Sequence, residues 1–289
     1  MSRNGKIHTK KRQFRQMPVL AFLNQRLFLQ PLFCEEMCHS FKLPENRKNF
    51  IIKKKRCLSK RQRVKRCDLE WSMRMKKGII FDMDGTLWDS AENVAESWKS
   101  VIEESGLLKK EITTADIKSV MGKTMDVAAD ILFGELPKKE RMELLDQCCR
   151  LENEYLREHG GILYDGVRKT FERLRERGYH VSIVSNCQTG YIEAFLDHYK
   201  LWDAIDDKQC YGDNLLPKGD NIRIVVERNQ LEQAVYVGDI QGDYEASCEA
   251  GVAFVHAAYG FGRIAADVPA IQSLSELLEL DLDEVYAGR

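Results

Sequence analysis

The sequence predicts an α/β fold, a doubly wound parallel sheet with an all-helical cap inserted between its first and second strands. Three observations predict it. Short apolar runs rich in β-branched residues alternate with helical patterns. Most of those runs end in polar or acidic residues. One stretch of about 70 residues, long enough for a small domain of its own, shows helical periodicity and no convincing strand.

Residues 1–74 stand apart from this pattern. The 289 residues carry a net charge of only −1. Yet the first 74 hold about 20 Lys/Arg against about 5 Asp/Glu, roughly +15, which leaves roughly −16 for the remainder. Lys53-Lys54-Lys55-Arg56 and the run from Lys60 to Arg66 repel themselves, so a disordered extension is expected. A stretch lying ahead of a natural start at Met75 is the other expectation. Clusters of this kind also build nucleic-acid or anionic-membrane arms, and an Arg-rich, acid-poor start suits an organelle transit peptide. Cys34, Cys38, His39, Cys57 and Cys67 lack the paired C-x2-C spacing of a zinc knuckle.

No transmembrane helix is read. Met17–Phe33 is interrupted by Pro18, Asn24, Arg26 and Pro31, and it falls short of the roughly 20 apolar residues needed to span a bilayer. Nine scattered cysteines, an odd number with Cys148 and Cys149 adjacent, fit a reducing cytosol better than a disulfide scaffold. A cytoplasmic protein is therefore expected.

From Met75 onward the elements follow in order. Gly78-Ile79-Ile80-Phe81 reads as the first strand. Residues 89–160 read as the cap, with one apolar face through Val94, Trp98 and Ile102. Met142, Leu144-Leu145, Cys149 and Leu151-Glu152 supply a second face. Val167, Phe171 and Leu174 stand at i, i+4 and i+7 of a helix closed by Gly178 as its C′ residue. Val181–Val184, Ala234–Val237 and Val252–Val255 are the next buried strands. Ile222–Arg228 and Tyr244–Ala250 supply crossover helices. The expected division is thus 1–74 extension, 75–88 and 161–289 core, and 89–160 cap.

The sharpest motif is Asp82-Met83-Asp84-Gly85-Thr86-Leu87, directly after the first strand. Carboxylates at i and i+2 converge only if the chain turns after Phe81, and Gly85 permits that turn. One ionised carboxylate can attack phosphorus. The other can give a proton to a leaving alkoxide and later take one from water. In doubly wound sheets ligands bind beyond the carboxyl ends of the strands, where Ser185-Asn186 and Gly238-Asp239 also stand.

These residues resemble the four short motifs of the haloacid dehalogenase (HAD) superfamily over essentially all of Met75–Arg289, which implies its Rossmannoid core. The resemblance implies that Asp82 is the nucleophile and Asp84 the general acid/base, with the Asp84 backbone carbonyl also on the metal. It implies that Ser185, with Asn186 beside it, binds phosphate and that Lys218 offsets the charge of Asp82 and the phosphoryl oxygens. Asp239 and Asp243 would complete a Mg²⁺ site with Asp82 and Asp84. Lys208 is a rival for the lysine, because Pro217-Lys218-Gly219 departs from the Lys-Pro of many relatives. Asp84 argues against halide chemistry. The cap, followed by Tyr164-Asp165-Gly166-Val167, is similar to the phosphoglycolate phosphatase-like branch.

The expected function is Mg²⁺-dependent hydrolysis of a small phosphorylated metabolite, phosphoglycolate or a similar one, through an aspartyl-phosphate. Lys123, in Met121-Gly122-Lys123-Thr124, is the candidate for meeting an anionic substrate tail. A β-phosphoglucomutase-like phosphotransferase is the alternative within the class. A nucleic-acid-binding protein using the basic arm is the alternative outside it, disfavoured because a scaffold needs none of these catalytic residue types. The oligomeric state stays open.

Overall fold

A computed structural model describes residues 75–287. The expectations for residues 1–74, including the nucleic-acid arm, lie outside the described residues. Six parallel strands form the main sheet in the order β5-β4-β1-β6-β7-β8. They are β1 (Lys77–Phe81), β4 (His180–Ser185), β5 (Asp207–Cys210), β6 (Gln233–Gly238), β7 (Ala253–Ala257) and β8 (Ala270–Ile271).

The central strands are apolar along their length because both sheet faces are covered. Ile79 and Phe81 of β1 pack into one core layer and Ile80 into the other. Val235 and Val237 of β6 oppose Tyr236 in the same way. On the first face lie α5 (Val167–Glu176), α6 (Tyr191–Tyr199) and α10 (Leu282–Ala287). On the second lie α8 (Lys218–Arg228) and α9 (Gln241–Ala250), while the short α7 (Tyr211–Asn214) follows β5. Val167, Phe171 and Leu174 are the buried stripe of α5, and Gly178 follows at φ +86°, the left-handed conformation a C′ glycine supplies.

Residues between β1 and β4 form the inserted helical region: α1 (Ala91–Ser105), α2 (Thr114–Val120), α3 (Met125–Leu132) and α4 (Lys138–His159). Helices α1 and α4 run antiparallel. The Trp98 indole N–H donates to Glu152 at 2.6 Å at one level, and the Asn93 amide donates to the Gly160 carbonyl at 2.9 Å at the next. The start of α2 is fixed by a capping box, in which Thr113 and Asp116 satisfy each other's backbone N–H groups.

The chain leaves and re-enters the core side by side. β2 (Trp88–Asp89) pairs antiparallel with β3 (Ile162–Leu163), and the Trp88 ring beds edge-on against Tyr191, Phe195 and Tyr199 of α6. Helix α4 also reaches α6 directly, through Arg157 on Asp197 at 2.9 Å.

Two sheet strands escaped the sequence reading. β5 is Asp-Lys-Gln-Cys and only half buried, and β8 has two residues. Both are the outermost strands of the sheet, so neither needs the continuous apolar run that marks a central strand. No described helix is long and apolar enough to cross a membrane. Among the described residues, Cys148, Cys149, Cys187, Cys210 and Cys248 are all free thiols.

Candidate active site

The strand order reverses at β1. From β1 the chain steps to β4 and β5 on one side, then returns to β6, β7 and β8 on the other. A crevice forms at such a switch point, past the carboxyl ends of the strands. Asp82 follows β1, Ser185 ends β4 and Asp239 follows β6. Parallel registry therefore places all three at one edge of the sheet.

The turn after Asp82 depends on Gly85, which sits at φ +85° with its α-carbon against the Asp239 carboxylate. A β-carbon there would collide with that group. The Gly85 N–H donates to the Trp88 carbonyl at 2.9 Å, and the Leu87 N–H donates to Met83 at 2.7 Å, so the motif closes on itself.

Asp82, Asp239 and Asp243 are buried, and each offers a carboxylate oxygen within 4.8 Å of the others. Lys218, the first residue of α8, is buried with them. Its ammonium donates to Asp82 at 2.7 Å and to Asp243 at 2.6 Å. Burial alone would lower the Lys218 pKa, but the Asp243 and Asp82 carboxylates outweigh it and hold the amine charged. The other sequence candidate, Lys208, pairs instead with Glu193 at 2.5 Å. The structure brings Lys218 to Asp82 and leaves Lys208 outside the cluster.

Three carboxylates share one ammonium. Burial, then the charge of Asp243, push the Asp82 pKa well up, with Lys218 pulling against them. Asp239 is pushed up to about 7 by burial and by Asp243. The Phe261 N–H donates to Asp239 at 2.7 Å. Asp243 also accepts the backbone N–H groups of Asp239 at 3.1 Å and Ile240 at 3.2 Å, so it caps α9 while anchoring Lys218. An all-oxygen, net-negative donor set fits a hard divalent cation, which would relieve the repulsion these shifts record.

Asp84 stands outside that trio. Its carboxylate accepts from Ser90 and Tyr191, each at 2.7 Å, and burial raises its pKa to about 6. With Ser185 and Asn186 it faces a narrow cavity of about 50 Å³ under the helical region. Asn186 donates its amide N–H to the Gly122 carbonyl at 2.9 Å, tying the strand end to the Met121–Thr124 loop. Lys123 is exposed on that loop and lines the cavity.

The chain matches the sequence profile of the haloacid dehalogenase-like hydrolases over residues 79–257. It belongs to that family. A phosphoglycolate phosphatase of Xanthomonas campestris is 28% identical over 217 residues, covering 72% of this chain and 94% of that protein. One from Vibrio vulnificus is 26% identical over 226 residues, covering 71% and 96%. Relatives of this kind place the chain, a hydrolase of the HAD superfamily, in the phosphoglycolate phosphatase-like branch.

Among solved structures, a haloacid dehalogenase-like hydrolase of Streptococcus pneumoniae has a TM-score of 0.56 at 21% identity. That match covers 71% of this chain and 97% of that one. The β-phosphoglucomutase of Clostridium difficile has a TM-score of 0.59 at 16% identity, covering 74% and 98%. Likeness at that level is likeness of fold.

Several residues that contact the carboxylate cluster left no signal in the sequence. The Tyr236 hydroxyl donates to the Val184 carbonyl at 2.8 Å and lies 3.3 Å from the Asp82 carboxylate. Tyr191 and Ser90 hold Asp84, and Phe261 holds Asp239. Tyr236, Tyr191 and Phe261 are far from their partners in the chain, so no local spacing announces them, and Ser90, six residues after Asp84, belongs to no motif. Glu152 was legible as an anomaly, a carboxylate inside the apolar stripe of α4.

Proposed function

We propose that this chain hydrolyses a small phosphomonoester, phosphoglycolate or a metabolite of similar size, with Mg²⁺ as cofactor and Asp82 as nucleophile. The observation that carries this is the Lys218 ammonium held between Asp82 and Asp243 beside Asp239. It pulls against the burial and like charge that raise the Asp82 pKa, and a divalent cation at the adjoining donor set would complete the ionisation of that carboxylate.

Asp82 attacks phosphorus and the ester P–O bond breaks, leaving the phosphoryl group on the Asp82 carboxylate. Asp84 gives its proton to the departing alkoxide; a pKa near 6 keeps a protonated fraction available close to neutrality. The resulting Asp84 carboxylate then takes a proton from water, which attacks phosphorus and releases phosphate and free Asp82. Ser185 offers its hydroxyl to the phosphoryl oxygens from the cavity wall, with Asn186 beside it. Lys218 offsets charge through both steps. Mg²⁺, held by Asp82, Asp239 and the Asp84 backbone carbonyl, with Asp243 in support, would add positive charge at the phosphoryl oxygens. Lys123 at the mouth adds a cation for an incoming anion.

The names carried by the relatives make phosphoglycolate the first substrate to try. Phosphate release by the full chain, with and without Mg²⁺, would be measured on phosphoglycolate, sugar phosphates, nucleotides and a chromogenic aryl phosphate. Mg²⁺-dependent release from at least one is expected. A folded protein silent on the whole panel would overturn the reading.

A further inference from the structure

The cavity beneath the helical region is lined with hydrogen-bond acceptors that the catalytic cycle leaves idle. Glu152 projects from α4 into its wall and is 3% exposed. Its carboxylate accepts the Trp98 indole N–H at 2.6 Å, while the Gln188 amide donates to Asn153 at 3.1 Å. An ionised carboxylate offers about four lone-pair sites, so Glu152 can accept more.

Asn186 adds a second acceptor. Its amide nitrogen is fixed by the Gly122 carbonyl, which can only accept, so the orientation of the amide is settled. Asn186 lines the cavity, and its Oδ1 is shielded from solvent and without a donor among the described residues. A buried acceptor left unsatisfied costs stability unless something fills it. Val94, Ile117, Val120 and Met125 supply apolar lining beside them. Among the described residues the one cation lining the cavity is Lys123, which is exposed.

From this juxtaposition we infer that Glu152 is a specificity-determining residue, and that the cavity takes phosphomonoesters whose leaving group carries a hydroxyl or ammonium donor. Such a tail donates to Glu152 and Asn186 Oδ1 while its phosphate lies toward Asp82. The carboxylate tail of phosphoglycolate brings no such donor, so it gains nothing from Glu152 and ranks below donor-tailed esters of similar size. The inference rests on the phosphomonoester reading and narrows its substrate class. The raised pKa of Glu152, about 7 and caused first by burial, agrees with a carboxylate that lacks enough donors when no substrate is present.

The test uses the full chain with Mg²⁺ and four probes: glycerol phosphate, ethanolamine phosphate, phosphoglycolate and a chromogenic aryl phosphate. In the native protein one or both donor-tailed esters should exceed phosphoglycolate in kcat/KM, and the pair separates the hydroxyl from the ammonium source. In Glu152→Gln the ratio of the preferred donor-tailed ester to the aryl phosphate should fall at least about tenfold, mostly through KM. Phosphoglycolate should gain relative to the donor-tailed ester.

If Glu152→Gln does not fold, Glu152→Asp keeps the charge and moves it back by one methylene, and the same ratio should fall. A uniform loss across all four probes, or a native preference for phosphoglycolate, would overturn the inference while leaving the phosphatase reading intact. Silence on every probe, aryl phosphate included, would sink both.

Discussion

The ammonium of Lys218 lies 2.7 Å from the Asp82 carboxylate, inside a protein interior where both groups are hidden from solvent. Each is the condition for the other's charge. Replacing Lys218 by Met leaves Asp82 and Asp243 buried without their counter-cation, a change that typically costs about 3–5 kcal/mol. Turnover should fall at least about 100-fold through lost charge stabilisation. Lys208→Met breaks only the peripheral pair with Glu193, worth about 0–1 kcal/mol, and should leave turnover intact. Thermal unfolding and initial rates of the two variants check this; equal losses would contradict it.

Gly85 is the narrowest point of the site. Gly85→Ala combines left-handed strain, of the order of 1–3 kcal/mol, with a clash on the Asp239 carboxylate. The variant should fold less stably and lose stabilisation by Mg²⁺. Melting curves with and without the ion read both effects.

Divalent cation should stabilise the native protein markedly. Asp82, Asp239 and Asp243 oppose a single ammonium. Saturating Mg²⁺, at about 100 times its dissociation constant, adds about 2.7 kcal/mol to unfolding. Asp239→Asn removes one carboxylate and should abolish most of that gain. A melting temperature indifferent to Mg²⁺ in the native protein would argue against a metal at this cluster.

Glu152 makes stability depend on pH with a definite sign. Burial raises its folded pKa to about 7 from an ordinary value of 4.5. Between those values the folded chain binds more protons than the unfolded chain, so stability falls as pH rises through that window. The contribution is complete below pH 4.5 and lost above about 7. Glu152→Gln should remove more than about 1 kcal/mol of the stability change across this window. Parallel melting profiles from pH 5 to 8 would contradict it.

Much of the catalytic edge was legible because its residues sit in short stretches beside strand ends. Asp82-Met83-Asp84-Gly85 and Gly238-Asp239 are local strings, and the apolar runs before them mark buried strands. Lys218 was harder to choose. Its rival Lys208 lies only ten residues earlier, and the distinction rests on a contact 136 residues away in sequence, with Asp82. Tyr259-Gly260-Phe261-Gly262 carries no motif that marks it for a role. The structure has Phe261 donating to Asp239 and Tyr259 donating to the Thr86 carbonyl, contacts between backbone and distant groups that leave no side-chain signature. The two outermost strands were invisible for a different reason: one covered edge needs no apolar run.

The central claim is that Asp82 becomes phosphorylated during turnover. The direct test is rapid acid quenching of the full chain reacting with its best phosphomonoester and Mg²⁺, followed by peptide mass analysis. The account predicts a phosphoryl group on the peptide bearing Asp82, and its absence from an Asp82→Asn variant that stays folded. Turnover with no phosphorylated Asp82 at any quench time, or undiminished phosphate release by Asp82→Asn, would contradict it.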